Sequence, residues 1–202
     1  MHITIILNKM KVLLSKLKSV FWYKLIFKKF GKRSVILNPL MIRNSHRISI
    51  GESVFIRDGV RLEVIGNGNI IIGDLCSIEQ GFHITSGELV HIGSNVIASF
   101  GGMITDIDHN YQEIGVNILH QGNAINETKI GDFCFIGAAA KIQAGTVLGK
   151  QCIVGANSVV RGIFPDYCVI VGAPARIVKR YNFQKGKWLK TDSNGGFIDE
   201  VE

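Results

Sequence analysis

Residues 130–160 read IGDFCF IGAAAK IQAGTV LGKQCI VGANSV V, a new block every six residues. The first position of each block (Ile130, Ile136, Ile142, Leu148, Val154, Val160) is a branched aliphatic, and Gly131, Gly137, Gly149 and Gly155 each follow one. A helix brings a side chain back to one face after three or four residues and a strand after two. An unbroken spacing of six therefore calls for a repeat architecture, with one short strand and one turn per hexad. The aliphatic then points inward, and three hexads close a triangular coil. The position four residues on is always small, with Cys134, Ala140, Thr146, Cys152 and Ser158, as a narrow corner packed beneath the next coil demands.

The same phase runs upstream with interruptions. Ile50, Ile56 and Leu62 form one coil, Ile72, Ile78 and Ile84 a second, and Ile92, Ala98 and Ile104 a third. Their starts lie 22, 20 and 38 residues apart, counting on to Ile130. Against a coil of eighteen, those spacings leave insertions of four residues near Gly66-Asn67-Gly68-Asn69, two near Gly87, and a long one over 106–129. Insertions in a solenoid project from the packed core and commonly build its binding face.

These residues resemble the hexapeptide-repeat acyltransferases, whose fold is a left-handed parallel β-helix. The resemblance covers about Ile36 to Lys179 and is carried by the hexads above and by Val171-Gly172-Ala173-Pro174-Ala175-Arg176. It implies an all-β fold, with a basic amphipathic helical segment at 1–34, a β-helix domain at 35–180 carrying the inserted loop 106–129, and an extension at 181–202. Within the family the chain looks most like the bacterial sugar O-acetyltransferases, and in its loop Asp106-Ile107-Asp108-His109-Asn110-Tyr111 His109 matches the catalytic base.

The chemistry of acetyl transfer fits that assignment. A sugar hydroxyl is a poor nucleophile at neutral pH and needs a base to take its proton, for which an imidazole has a suitable pKa. His109 is the expected base and His120, in the same loop, its rival. Asp106 and Asp108 are expected either to orient the imidazole and acceptor or to be solvated loop carboxylates, and Asn110 and Tyr111 to line the acceptor site. The resemblance further implies an oxyanion donor near Gly137 and Ala138, acetyl-coenzyme A as acyl donor held by Ala138, Ala156 and Arg161, and no metal. Arg176 and Lys179 are expected either at the coenzyme phosphates or in a solvated basic end. Arg161-Gly162 stands where galactoside-type members commonly carry Thr-Lys, and Phe135 where many carry Trp.

Charge is unevenly spread. The first fifty-one residues hold eleven Lys and Arg and no acid, whereas residues 52–202 hold twelve basic and sixteen acidic residues, so the net +7 belongs to the N-terminus. Met10, Leu13, Leu14, Leu17, Val20 and Phe21 share one face of a helix flanked by lysines. That face is expected to cap the open end of the solenoid or to rest on an anionic membrane through residues 1–30. Lysines interrupt every apolar run well short of a span, and no cleavage site follows one. Cys76, Cys134 and Cys152 fall at the small inward position and read as reduced core thiols, which points to the cytoplasm.

The tail after Arg180 reads as a weakly structured extension in which Trp188 and Phe197 could serve as anchors. The expected partners are a sugar or glycan acceptor and two further copies of the chain, as a homotrimer, with no nucleic acid. Acetyl-coenzyme A dependent O-acetyl transfer in surface-polysaccharide synthesis (capsule, O-antigen or exopolysaccharide) is the leading reading. N-acylation of an amino nucleotide sugar, a noncatalytic scaffold, and a zinc hydratase of the same fold are the alternatives.

Overall fold

Each hexad forms a strand of two to four residues, because the chain turns a corner before a longer one can extend. The residue three after the inward aliphatic supplies many of those corners by taking positive φ, as at Leu75 (58°), Asn95 (59°) and Phe133 (61°). The computed structural model describes residue 10, residues 12–192 and residues 195–198. It is a left-handed parallel β-helix of seven coils.

Three parallel sheets make the faces of the prism. The first stacks Lys29–Phe30, Ile48–Ile50, Asn69–Ile72, Leu89–Ile92, Thr128–Ile130, Val147–Leu148 and Ile163–Phe164. The second runs from Val35–Ile36 to Cys168–Gly172, and the third from Met41–Arg43 to Val159–Val160. Register is in phase throughout: Ile50 lies on Ile72, Ile72 on Ile92, Ile92 on Ile130, and Ile130 on Leu148. Stacking identical positions puts Ile on Ile up the axis, and the inward column is 0–2% exposed from Ile48 to Val160. Each fully buried aliphatic of this size contributes about 2 kcal/mol of transfer free energy.

One corner forms a second ladder of Val54, Cys76, Val96, Cys134, Cys152 and Cys168, all buried. Its four thiols are free. Three donate to a carbonyl of the following coil: Cys76 to Gly93, Cys134 to Gly149 and Cys152 to Pro165. A thiol is small enough to sit beneath the next backbone and still satisfy its weak donor there.

Four features depart from the sequence reading. A coil precedes Ile50, made by Phe30, Ile36 and Ile42, with Ile42 and Ile50 separated by the turn at Ser45–Arg47. The last coil is shortened, since Phe164 follows Val160 by four residues and Gly162 takes φ 117° to close the gap. The tail is not loose: Ala175–Asn182 pairs antiparallel with Cys168–Gly172 and with Lys187–Lys190, across the expected boundary at 180. Trp188 meets Tyr181 edge-on, and the Arg180 guanidinium lies over Phe197.

The N-terminal helix caps the first coil in the opposite sense to that expected. Residues 12–18 are helical and continue through Ser19–Tyr23 and Lys24–Ile26. Ser15, Ser19, Tyr23 and Phe27 face the solenoid, and Met10, Leu13, Leu14, Leu17 and Phe21 of the apolar stripe face solvent. Small serines let the helix approach the first coil closely, and Ser19 Oγ accepts the Ile36 N–H at 3.3 Å. Tyr23, Phe27 and Phe30 supply the apolar plug, with ring centroids 5.4–5.6 Å apart. Of the segment expected to touch membrane, residues 1–9 and 11 lie outside the described residues.

Candidate active site

The long insertion leaves the third face of the fourth coil at Thr105 and returns at Thr128. Thr128 Oγ1 donates to the Thr105 carbonyl at 2.8 Å, closing the root. Asp106 lies at that root, fully buried, where its carboxylate accepts from Ser86 Oγ (2.8 Å), Gly87 N–H (2.7 Å) and Glu88 N–H (2.9 Å). It is therefore not in the acceptor site as expected; it fastens the loop to the two-residue insertion of the coil before. Three donors there stand in for the water that a buried carboxyl group loses.

From this root the insertion rises as a two-stranded arm. Ile107–His109 runs antiparallel to Asn123–Ile125, placing His109 opposite Asn123. Asn110 closes the arm through its N–H to Gly122 O (3.2 Å) and its Nδ2 to Gln121 O (3.1 Å). Residues 111–120 are all exposed, Tyr111 at 74%. His120 ends a short turn at the tip, Ile118–His120, well past the pairing that fixes His109. The His109 side chain is exposed and makes no hydrogen bond among the described residues.

Asp108, beside His109, is tied to the body of the solenoid. Its Oδ2 accepts from Arg161 Nη2 at 2.5 Å, and Arg161 Nε donates to Gln143 Oε1 at 3.1 Å. Gln143 belongs to the fifth coil and Arg161 to the sixth, so the arm leans toward the C-terminal end. Arg161 was expected at the coenzyme and Asp108 at the acceptor, yet the two meet each other. Gln143 and Asn123 carried no sequence signal, because neither lies at a repeat position or in a motif.

Gly137 and Ala138 open the corner after the second face. The Gly137 N–H is already given to Val154 O at 2.9 Å, and a Cβ there would come within 2.6 Å of Ala156 N. Gly137 thus permits the close stacking of coils and donates to no ligand, a correction to its expected place at the coenzyme. Ala138 and Ala156 differ. Neither N–H has an acceptor among the described residues, whereas N–H groups at the preceding corner are capped by side chains, as Ser94 by Asp132 and Lys150 by Asp166. Two backbone donors one coil apart are therefore without an acceptor among the described residues.

Arg176 and Lys179 stand on the returning strand, both exposed. Arg176 pairs in register with Val171, whose side chain lies over Gly155, so it flanks the corner of Ala156. Among the described residues no three His, Cys, Asp or Glu side chains converge in a way that could hold a metal ion.

Comparison with known proteins follows this geometry. Residues 127–162 match the family described as bacterial transferase hexapeptide (six repeats). The chain is 34% identical over 163 residues to WbbJ, a putative lipopolysaccharide biosynthesis O-acetyl transferase of Escherichia coli (strain K12), over 77% of this chain and 83% of that protein. It is 32% identical over 133 residues to a probable acetyltransferase of Mycobacterium tuberculosis, covering 66% of this chain and 44% of the relative. A mutant of AntD, an N-acyltransferase from Bacillus cereus solved with dTDP and coenzyme A, superposes with a TM-score of 0.69 at 22% identity, over 84% of this chain and 90% of that one. A hexapeptide-repeat acetyltransferase from Vibrio cholerae, complexed with acetyl coenzyme A, gives 0.54 at 18% identity, over 85% of this chain and 86% of that one. At such identities the two structures speak for the fold alone.

Proposed function

We propose that this chain, which belongs to the hexapeptide-repeat acyltransferase family, transfers an acetyl group from acetyl-coenzyme A to a sugar hydroxyl in surface-polysaccharide synthesis. The observations that carry this reading are an arm bearing His109, rooted at Asp106 and pinned through Asp108 to Arg161, and an Ala138 N–H left without an acceptor among the described residues. The polysaccharide assignment leans on the likeness to WbbJ.

In this reading the His109 imidazole takes the proton of the acceptor hydroxyl as its oxygen attacks the thioester carbonyl carbon. Negative charge develops on the carbonyl oxygen, and the Ala138 N–H donates to it. The C–S bond then breaks, and the departing thiolate takes the proton from His109, leaving acetylated sugar and free coenzyme A. Both substrates are held in one groove, so no acyl-enzyme is needed. Ala156 N–H serves the pantetheine arm, and Arg176 and Lys179 serve the phosphates. Arg161, engaged by Asp108, instead holds the arm in place. Asn110 shapes the arm that presents the base, and Tyr111 meets the acceptor from its tip. The transferase unit begins with the first coil at Lys29–Phe30, carries the loop 106–129 and includes the terminal hairpin Ala175–Asn182 with Lys187–Lys190, and the helix that ends at Ile26 is appended to it.

A homotrimer accompanies this reading. Its support is an outward apolar column on the second face, where Ile97 (47% exposed), Phe135 (40%) and Ile153 (37%) stack in register. An unburied column of this kind is what a threefold neighbour would cover. The compartment is the cytoplasm, with peripheral contact at the inner face of its membrane.

Thiol release from acetyl-coenzyme A, measured for wild type and His109→Ala against sugars, nucleotide sugars, amino sugars and serine, tests the reading. The expected result is release with a hydroxyl acceptor that His109→Ala lowers by about a hundredfold or more, with coenzyme A affinity unchanged. Turnover on an amino sugar alone would transfer the assignment to N-acylation. Full turnover in His109→Ala would place the base elsewhere.

A further inference from the structure

The N-terminal helix has three distinct sides. Ser15, Ser19 and Tyr23, four residues apart, face the first coil. On the opposite side Met10, Leu13, Leu14, Leu17, Phe21 and Leu25 are 48–79% exposed. Lys16 and Lys18 lie between these sides, one along each flank. Close packing on the first coil accounts for the buried serines, but it does not require six large apolar side chains in solvent. The helix buries serines and spends its largest apolar side chains on solvent, forming a contiguous patch of the kind that marks an interaction surface.

Beside the patch, between helix and first coil, lies a cleft of about 350 Å³. Lys16, Lys24, Lys32 and Arg33 line it together with Ser19 and Gly31. None of the four cations pairs with a carboxylate among the described residues, and no acid occurs before Glu52. Four cationic side chains around one cleft, with no carboxylate paired to them among the described residues, make this end of the molecule strongly positive and favour an anion there.

We propose that this end of the molecule docks on an anionic phospholipid surface, with the outward leucines and Phe21 entering the acyl boundary and a lipid phosphate held in the cleft of Lys16, Lys24, Lys32 and Arg33. The apolar patch and the cationic cleft share one helix, so a single surface satisfies both. A soluble phosphate would leave the leucines in water. A second copy meeting the patch about a twofold axis would bring lysine against lysine, with no acid nearby to relieve it. Charge elsewhere agrees, because residues 52–202 carry four more acids than bases, and docking by the N-terminal end turns the acidic remainder from the membrane. The inference deepens the membrane placement proposed above and is independent of the transfer chemistry.

The test is co-sedimentation of the full chain with vesicles of pure phosphatidylcholine and with vesicles in which phosphatidylglycerol replaces part of it. Wild type should bind the anionic vesicles and lose that binding in high salt. Leu17→Glu with Phe21→Glu, both at exposed positions, should abolish it. Lys16→Ala, Lys24→Ala and Lys32→Ala together should weaken it by about a hundredfold, at about fivefold per charge near the surface. Thiol release with a soluble acceptor should stay within about twofold in both variants, so failure of the chemistry and failure of docking read out separately.

Absence of wild-type binding to anionic vesicles overturns the proposal. If the chain then forms a larger assembly that Leu17→Glu with Phe21→Glu dissolves, the patch is a contact between copies. If inorganic diphosphate binds in a lysine-dependent way without vesicle binding, the cleft is a site for a free anion.

Discussion

Asp106 and Asp108 stand two residues apart and carry opposite duties. Asp106 is sealed by three donors, so Asp106→Ala would strand the N–H groups of Gly87 and Glu88 and the hydroxyl of Ser86; we expect a loss of about 3 kcal/mol, read from denaturant midpoints. Arg161→Ala removes an exposed pair worth under about 1 kcal/mol and should barely move that midpoint. It frees Asp108, however, and with it the arm bearing His109, so kcat on a soluble acceptor should fall about tenfold or more. Equal effects of the two variants on stability would show that the ion pair is structural only. Sequence alone could not separate these aspartates. Both lie in one motif, and their difference comes from Gly87, nineteen residues earlier, and Arg161, fifty-three residues later. The difference between Gly137 and Ala138 was equally hidden, because it depends on which N–H the next coil has already taken.

At the scale of the element, the hexads were legible because one force writes them: each inward position must be apolar and each corner small, coil after coil. Insertion arithmetic worked for the same reason, locating the turns at 65–68 and 87–88 and the root of the arm. Phe30, Ile36 and Ile42 escaped because they follow a lysine-rich stretch and an eight-residue step separates Ile42 from Ile50. The helix was misjudged where the apolar face was assumed to be the buried face, although at a close-packed cap the side chain that fits is serine. The corner ladder makes a further prediction. Burial pushes the Cys76 thiol up to about 11, against about 8.5 in an unfolded chain. Below that lower value both states hold the proton and stability is complete. As pH rises toward 11 only the unfolded state releases it, and stability falls by up to about 1.4 kcal/mol per pH unit. Denaturation midpoints across that range should slope downward more steeply in wild type than in Cys76→Ala, and parallel slopes would remove the thiol from the account.

The whole molecule is a stack with a direction, closed by a helix at one end and by an antiparallel hairpin, Ala175–Asn182 with Lys187–Lys190, at the other. Among the described residues no helix is long and apolar enough to cross a membrane. The arm leaves from the fourth coil, three strand spacings of about 4.8 Å above the first, and leans further away. With the first coil on a bilayer, His109 stands about 15 Å or more above the headgroups. If the acceptor proposed above is a glycan anchored in lipid, the solenoid works as a measuring rod: the sugar that reaches that height is the one presented to His109, and the sugar next to the lipid is passed over. Adding one eighteen-residue coil below the arm should move the acetylated position outward along the glycan, while the reaction with a free sugar should not change.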